Sequence, residues 1–201
     1  MPKDMYGKPD FWTKKAFSEG YPARSVYKLQ EIDEKFNILK KGSVVLDLGA
    51  APGSWTVFVL RALDGTGHVT AIDLKPLSKK IKANNLTFFE GDMTDADFRN
   101  EIKRNGPYDT IICDAAPATT GNKVVDTARS AGLVEMAIYY AQKMLKPGGN
   151  FVVKIFQSGD QQSFLKLLRE TFALAKGFKP KACRAKSFET YLIGLDKKSL
   201  A

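Results

Sequence analysis

A chain of 201 residues, 44% of them apolar, fits one α/β domain with a full core and is too apolar for a disordered segment. Its formal charge of +9 favours an anionic partner, and the lack of any run of 18 apolar residues excludes a membrane-spanning helix. The start, Met1-Pro2-Lys3-Asp4-Met5, has no hydrophobic signal segment, so a cytoplasmic protein is expected.

Residues 1–28 hold Lys3, Lys8, Lys14, Lys15, Arg24 and Lys28 against three acids, with Tyr6, Phe11, Trp12, Phe17, Tyr21 and Tyr27 interleaved. Cations for phosphate and rings for stacking suit a surface that faces RNA. A solvated basic face with core aromatics is the plainer alternative. A helix is predicted over 24–37, with Val26, Leu29, Ile32 and Phe36 on one side. Residues 1–40 are thus read as a basic, RNA-facing extension and helix.

A buried strand is predicted over 43–48, and the run Val44 to Trp55 breaks from it into a glycine loop that opens a helix over 53–63. The next strand, 68–73, ends on Asp73, an acid placed to accept both hydroxyls of a ribose. A dinucleotide loop needs a third glycine where its pyrophosphate meets the helix. Here the pattern is only Gly49-x-x-x-Gly53, with Asp47 before it and Pro52 inside it. That suits S-adenosylmethionine, which has no pyrophosphate to cradle.

Lys75, Lys79, Lys80 and Lys82 follow as a run without any acid. Further strands are predicted over 86–90, 108–114 and 149–156, and helices over 94–104, 129–145 and 160–175. Pro147-Gly148-Gly149 is read as the stop before the 149–156 strand. Segments 177–183 and 187–195 are strand-like with a connection too short for a crossover, so the last strand should run antiparallel. Lys176, Lys179, Lys181, Arg184 and Lys186 crowd this end and form a second basic edge. No repeat, linker or composition break appears, so residues 1–201 are read as one domain, a mostly parallel sheet with helices on both faces.

Three residues put charge where an apolar side chain would cost less. Asp114 ends the strand Tyr108–Asp114, beyond whose carboxyl end a ligand would bind. Lys154 lies inside Phe151-Val152-Val153-Lys154-Ile155-Phe156, where an ammonium needs a partner or a cavity. Glu189 stands at the mouth of the last strand. Singly, each has a dull explanation: a turn cap, a snorkelling lysine, a surface acid. Together they put two carboxylates and one amine on strands that end near the expected cofactor.

Cys113 and Cys183 have strand-like surroundings and no metal-ligand spacing, and His68 is the single histidine. Reduced thiols and metal-free chemistry are expected.

The chain resembles the FtsJ/RrmJ family of RNA ribose 2′-O-methyltransferases over essentially its whole length. The pieces that carry the resemblance are Arg24–Leu29, Asp47–Gly53, Asp114-Ala115-Ala116-Pro117, Val152–Phe156 and Ser187-Phe188-Glu189-Thr190-Tyr191. The resemblance implies a Rossmann-like, seven-stranded sheet with the last strand reversed. It implies a Lys-Asp-Lys-Glu catalytic tetrad of Lys28, Asp114, Lys154 and Glu189. It implies cofactor contacts from Asp47, Gly49, Ala50, Pro52, Gly53, Trp55, Asp73, Leu74, Asp92, Met93 and Asp114. Asp92, after the third strand, would meet the adenine edge. Two positions depart from the family pattern: Ser54 replaces a usual glycine, and Ala118 replaces a usual asparagine in a loop expected to touch RNA.

The ribose hydroxyl is a poor nucleophile until its proton begins to leave. Lys154 is expected to act as base in its neutral form with Asp114 orienting it, Lys28 holding the hydroxyl and Glu189 completing the network. Burial and Lys28 favour the neutral lysine while Asp114 and Glu189 favour its charged form, so which group takes the proton stays open. RNA is expected between the basic N-terminal segment and the 176–186 edge, with the 117–130 loop as a clamp. By resemblance, a compact member methylates a uridine ribose in large-subunit ribosomal RNA, with tRNA the nearest competitor; the RNA is expected within a large ribosomal subunit or its precursor, and nothing in the chain requires more than a monomer.

Other classes fit less well. An exocyclic-amine methyltransferase favours Asn-Pro-Pro-aromatic where this chain has Asp114–Pro117, and a carbon-5 enzyme needs a cleft cysteine, whereas Cys113 points away from Asp114. A nicotinamide dehydrogenase would want the third loop glycine. An S-adenosylmethionine-binding ribosome-assembly factor has no need of an intact tetrad.

Overall fold

The computed structural model describes residues 10–118, 120–157, 160–184 and 187–199. Lys3, Tyr6, Lys8 and Lys186 of the two basic blocks lie outside them, as does Thr119 of the expected clamp.

Seven strands form one sheet: β1 (Val44–Leu48), β2 (His68–Asp73), β3 (Leu86–Glu90), β4 (Tyr108–Cys113), β5 (Leu145–Phe156), β6 (Phe172–Phe178) and β7 (Glu189–Lys197). Their spatial order is β3-β2-β1-β4-β5-β7-β6, parallel throughout except that β7 runs against both β5 and β6. The reversed last strand and the mostly parallel sheet are as expected. The helices are α1 (Phe11–Ser18), α2 (Val26–Phe36), α3 (Ser54–Leu63), α4 (Ala96–Arg104), α5 (Lys123–Met144) and α6 (Gln161–Thr171).

Strand alternation sorts the core into two layers. Leu46, Ile111, Phe151, Val153 and Leu192 face α4, α5 and α6, where Ile102, Ala137, Tyr140 and Leu168 close one cluster. Their sequence neighbours Val45, Ile112, Val152, Tyr191 and Ile193 face the other side, against Leu29 and Ile32 of α2 and Trp55 and Val59 of α3. Lys154 shares the parity of Val152, so its side chain leaves the sheet on the α2–α3 side.

Four expectations need correcting. The helix expected over 160–175 stops at Thr171, and the strand expected over 177–183 is β6, Phe172–Phe178. Phe172-Ala173-Leu174-Ala175-Lys176 is built of good helix formers, but pairing with β7 overrides that preference. The β6–β7 connection consequently spans residues 179–188 and is no tight hairpin. The helix expected from 129 begins at Lys123, because the Asn122 side chain accepts hydrogen bonds from the Val124 and Val125 amides at 3.0 and 3.4 Å. Finally, Pro147-Gly148-Gly149 does not end α5. The helix is already closed at Met144, and the three residues fall in a register shift of β5, between the pairs Tyr108–Leu145 and Thr110–Asn150. Lys197 of β7 does the capping: its Nζ donates to the carbonyls of Ala141, Gln142 and Leu145 at 3.0, 2.7 and 2.7 Å. Among the described residues no helix is long and apolar enough to cross a membrane, and no cluster of His, Cys, Asp and Glu could hold a metal.

Candidate active site

A cleft of about 860 Å³ opens where β1, β2, β4 and β5 end. Its floor is backbone. The amides of Gly49 and Ala50 both donate to the Ile72 carbonyl, at 2.9 and 3.1 Å, which turns the chain sharply after β1. Gly49 has φ +73°, and a Cβ there would lie 2.6 Å from the Cα of Ala115, so no other residue fits. Gly53 has φ +108° and abuts Ile81 from the segment after β2. Asp73 ties the two segments: one carboxylate oxygen accepts from the Ala51 amide and the other from the Lys75 amide, both at 2.9 Å. On the far side, Asp92 accepts from the Thr94 amide and hydroxyl, both at 2.8 Å. The Tyr140 hydroxyl donates to the Met93 carbonyl at 2.8 Å, which pins that turn to α5.

Of the expected cofactor contacts, Gly49, Pro52, Asp73, Leu74, Asp92, Met93 and Asp114 line this cleft. Asp47, Ala50, Gly53 and Trp55 stand behind it. Asp47 is wholly buried; one oxygen accepts from the Thr56 hydroxyl at 2.7 Å and the other has no partner. Burial pushes its carboxyl up to about 7, and the charges of Asp114 and Asp73 add to that. Trp55 braces the site: its indole N–H donates to the Ser25 carbonyl at 2.9 Å, and its ring lies 5.7 Å from that of Tyr191. Ser54 buries a hydroxyl without a partner where the family pattern has glycine. Ala118, the other departure, lines the cleft. Ser25, Lys75 and Leu133 also line it and were not singled out as cofactor contacts. Lys75 could have been found from its place two residues after Asp73, whereas Leu133 gives no signal beyond helical periodicity.

The four expected catalytic residues form two ion pairs. Lys154 Nζ lies 3.1 Å from the Asp114 carboxylate and also donates to the Asp114 carbonyl. Lys28 of α2 lies 2.7 Å from Glu189 at the head of β7. All four side chains are at most 16% exposed. Tyr191 braces the first of these pairs. It neighbours Lys154 across the β5–β7 ladder, and its hydroxyl donates at 2.8 Å to the carboxylate oxygen that Lys154 holds. Burial, then the Asp114 and Glu189 charges, raise that phenol well above its ordinary value, so it stays a donor. Cys183 and Cys113 are neutral thiols, each pushed up to about 12 chiefly by burial. A buried, protonated Cys113 is no nucleophile for a carbon-5 reaction.

Part of the expected RNA-facing surface is committed internally. Tyr27 is buried and its hydroxyl donates to Glu19 at 2.9 Å, because α1 folds against α2. Arg24 pairs with Asp10 and donates to the Ala182 carbonyl at 2.9 Å. Lys35 and Lys176 sit over the rings of Phe178 and Phe36, at 4.5 and 5.2 Å. Phe11, Trp12 and Phe17 remain exposed. In the expected clamp, Asp126 gathers the Thr120 amide and hydroxyl and the Gly121 amide, which hold its carboxyl below its usual value.

The family model for FtsJ-like methyltransferases matches residues 21–197. The chain belongs to that family. It is 64% identical over 196 residues to the ribosomal RNA large subunit methyltransferase E of Treponema denticola, covering 98% of each chain. It is 46% identical over 190 residues to the protein of the same name from Desulfosudis oleivorans, covering 94% of this chain and 91% of that one. Among solved structures, a Plasmodium falciparum protein assigned as a ribosomal RNA methyltransferase matches with a TM-score of 0.77 at 27% identity, over 90% of this chain and all of that one. A methyltransferase of this family uses S-adenosylmethionine, and the cleft fits it. Asp73, Asp92 and Asp114 line the space beside the positive-φ turn at Gly49, and Asp47, two residues before that turn, keeps one buried oxygen without a partner.

Proposed function

We propose that this protein transfers a methyl group from S-adenosylmethionine to a ribose 2′-hydroxyl of large-subunit ribosomal RNA, on a uridine, acting as a monomer. The observation that carries the reading is the Lys154–Asp114 ion pair on the wall of the cleft, backed by Lys28–Glu189. The two curated relatives, named for methylation of large-subunit ribosomal RNA, support the choice of RNA.

Asp73, Asp92 and the Gly49–Pro52 turn would hold the cofactor, with Asp47 buried behind that turn. When bound, S-adenosylmethionine supplies a methyl group on a positively charged sulfur. Asp114 holds Lys154 by its carboxylate and its carbonyl, so the amine is fixed against the cleft. In its neutral form Lys154 takes the proton of the ribose hydroxyl and becomes an ammonium, which Asp114 stabilises at once. Lys28 positions the hydroxyl oxygen and offsets the negative charge that grows on it, and Glu189 keeps Lys28 in place. Fixing the hydroxyl in line with the methyl group supplies much of the acceleration.

Lys154→Ala tests this. Transfer to undermethylated large-subunit RNA should fall by roughly 10²–10⁴-fold, the span of general-base catalysis. Calorimetry should show the affinity for S-adenosylmethionine within a few-fold of the original. Transfer near the original rate would end the general-base assignment. Assembly of the large subunit separates an enzyme from an assembly factor: cells carrying the variant should show the defect of cells without the protein, whereas full assembly support by the variant would favour the assembly factor.

A further inference from the structure

A second groove, of about 670 Å³, lies on the other side of the cofactor loop, with Pro52 forming part of both walls. It runs between the α1–α2 turn, the outer face of α3 and the segment 74–85. That segment is strapped to the loop: the Ser78 amide donates to the Pro52 carbonyl at 3.1 Å, and Ile81 packs on Gly53.

The lining is basic and aromatic. Arg61, Lys80 and Lys82 contribute cations, Phe17 and Tyr21 contribute rings, and no carboxylate lines it among the described residues. Lys80 and Lys82 are exposed and make no ion pair among the described residues. Unpaired lysines held together in a concave surface repel one another and have no partner within the fold. Arg61 is set differently. Its guanidinium lies 4.3 Å from the Tyr21 ring and donates to the Glu19 carbonyl at 3.0 Å, so its plane is fixed before anything binds. Phe17 is 54% exposed beside it.

A fixed guanidinium plane and an exposed ring offer stacking faces, and two free ammonium groups offer phosphate contacts. Single-stranded RNA presents both partners, in alternation, along one strand. The geometry points to this groove as a binding subsite for RNA nucleotides that flank the methylated one, with bases on Arg61 and Phe17 and phosphates on Lys80 and Lys82. The inference rests on RNA being the substrate. It adds a second contact zone to the one expected between the N-terminal segment and the 176–186 edge. The shared Pro52 wall lets a strand leave the catalytic cleft and enter the groove without crossing the fold.

The test uses the whole chain, large ribosomal subunits from cells that lack the methylation, and S-adenosylmethionine. Lys80→Ala with Lys82→Ala should raise the KM for RNA about five-fold and flatten the dependence of log affinity on log salt by about 1.4, two single-strand phosphate contacts. The affinity for S-adenosylmethionine should not move. Arg61→Lys keeps the charge but loses the plane, so it should weaken binding about three-fold and leave the salt slope as it was. Lys103→Ala with Arg104→Ala, which removes two cations from the end of α4, should change neither quantity, and thermal melting checks that all variants fold. If the Lys80/Lys82 variant matches the Lys103/Arg104 control in KM and slope, the groove does not hold RNA. Wild-type protein that methylates no RNA in the same assay would overturn the functional reading itself, a failure that every arm would share.

Discussion

The two halves of the cleft are made of different material. Beneath β1, β2 and β3 it is built from main chain: two positive-φ glycines, amides converging on one carbonyl, and carboxylates that grip loop amides. Beneath β4, β5 and β7 it is built from side chains: two ion pairs, one of them held by a tyrosine hydroxyl. A backbone-built pocket has a shape that one extra carbon destroys. A side-chain network keeps its shape when a member is removed and loses only that member's charge. The halves should therefore fail separately, the first through ligand affinity and folding, the second through turnover.

The largest effect should come from Gly49→Ala. The new Cβ would meet main-chain atoms of Ala115 at 2.6 Å, where no flexible side chain can give way, and φ +73° is itself unfavourable for alanine. Left-handed strain and overpacking together should cost about 4 kcal/mol of stability. Urea unfolding should show that loss, and calorimetry should show no measurable binding of S-adenosylmethionine. A variant that binds the cofactor normally would break the distinction between the two halves.

Asp47 sits where they meet, and its effect should be smaller and dependent on pH. Its carboxyl is held neutral up to about 7 in the folded chain, against 3.8 when exposed. Below 3.8 both states bind the proton and the group contributes nothing. As pH rises from 3.8 towards 7 the unfolded chain ionises it and the folded chain does not, so stability falls across that window and is level above it. The window sets an upper limit of about 4 kcal/mol, of which we expect about 2–3 to be realised. Asp47→Asn should stabilise the free protein at pH 8 and leave it unchanged near pH 4. Equal effects at both values would mean that Asp47 does not titrate in that window.

The same division governs what could be read before the fold was known. The main-chain half follows from local order, because Gly49, Pro52 and Gly53 announce a turn and Asp73 ends the next strand. The ion pairs unite Lys28 with Glu189 across most of the chain, and Lys154 with Asp114 across 40 residues. Only the cost of charge within apolar strands, together with the family resemblance, marked them in advance. Nothing local could show that Lys197 closes α5, since the contact exists only once β7 lies beside β5. Nor could local preference place β6, whose alanines and leucine favour a helix until β7 offers a ladder. The family resemblance implied Trp55 as a cofactor contact. The helical turn at Ser54 carries it to the opposite side, against Tyr191.

Tyr191 offers the finest distinction between the halves. Its hydroxyl holds the carboxylate that holds Lys154. Tyr191→Phe keeps the ring against Trp55 and removes only the hydroxyl, so stability should change by about 1 kcal/mol. The loss of one donor to a charged acceptor should lower kcat about ten-fold, with the KM values for cofactor and RNA unchanged. A tyrosine that served only as packing would leave kcat as it was. An unchanged kcat in the Tyr191→Phe variant would therefore leave Asp114 alone to orient the amine.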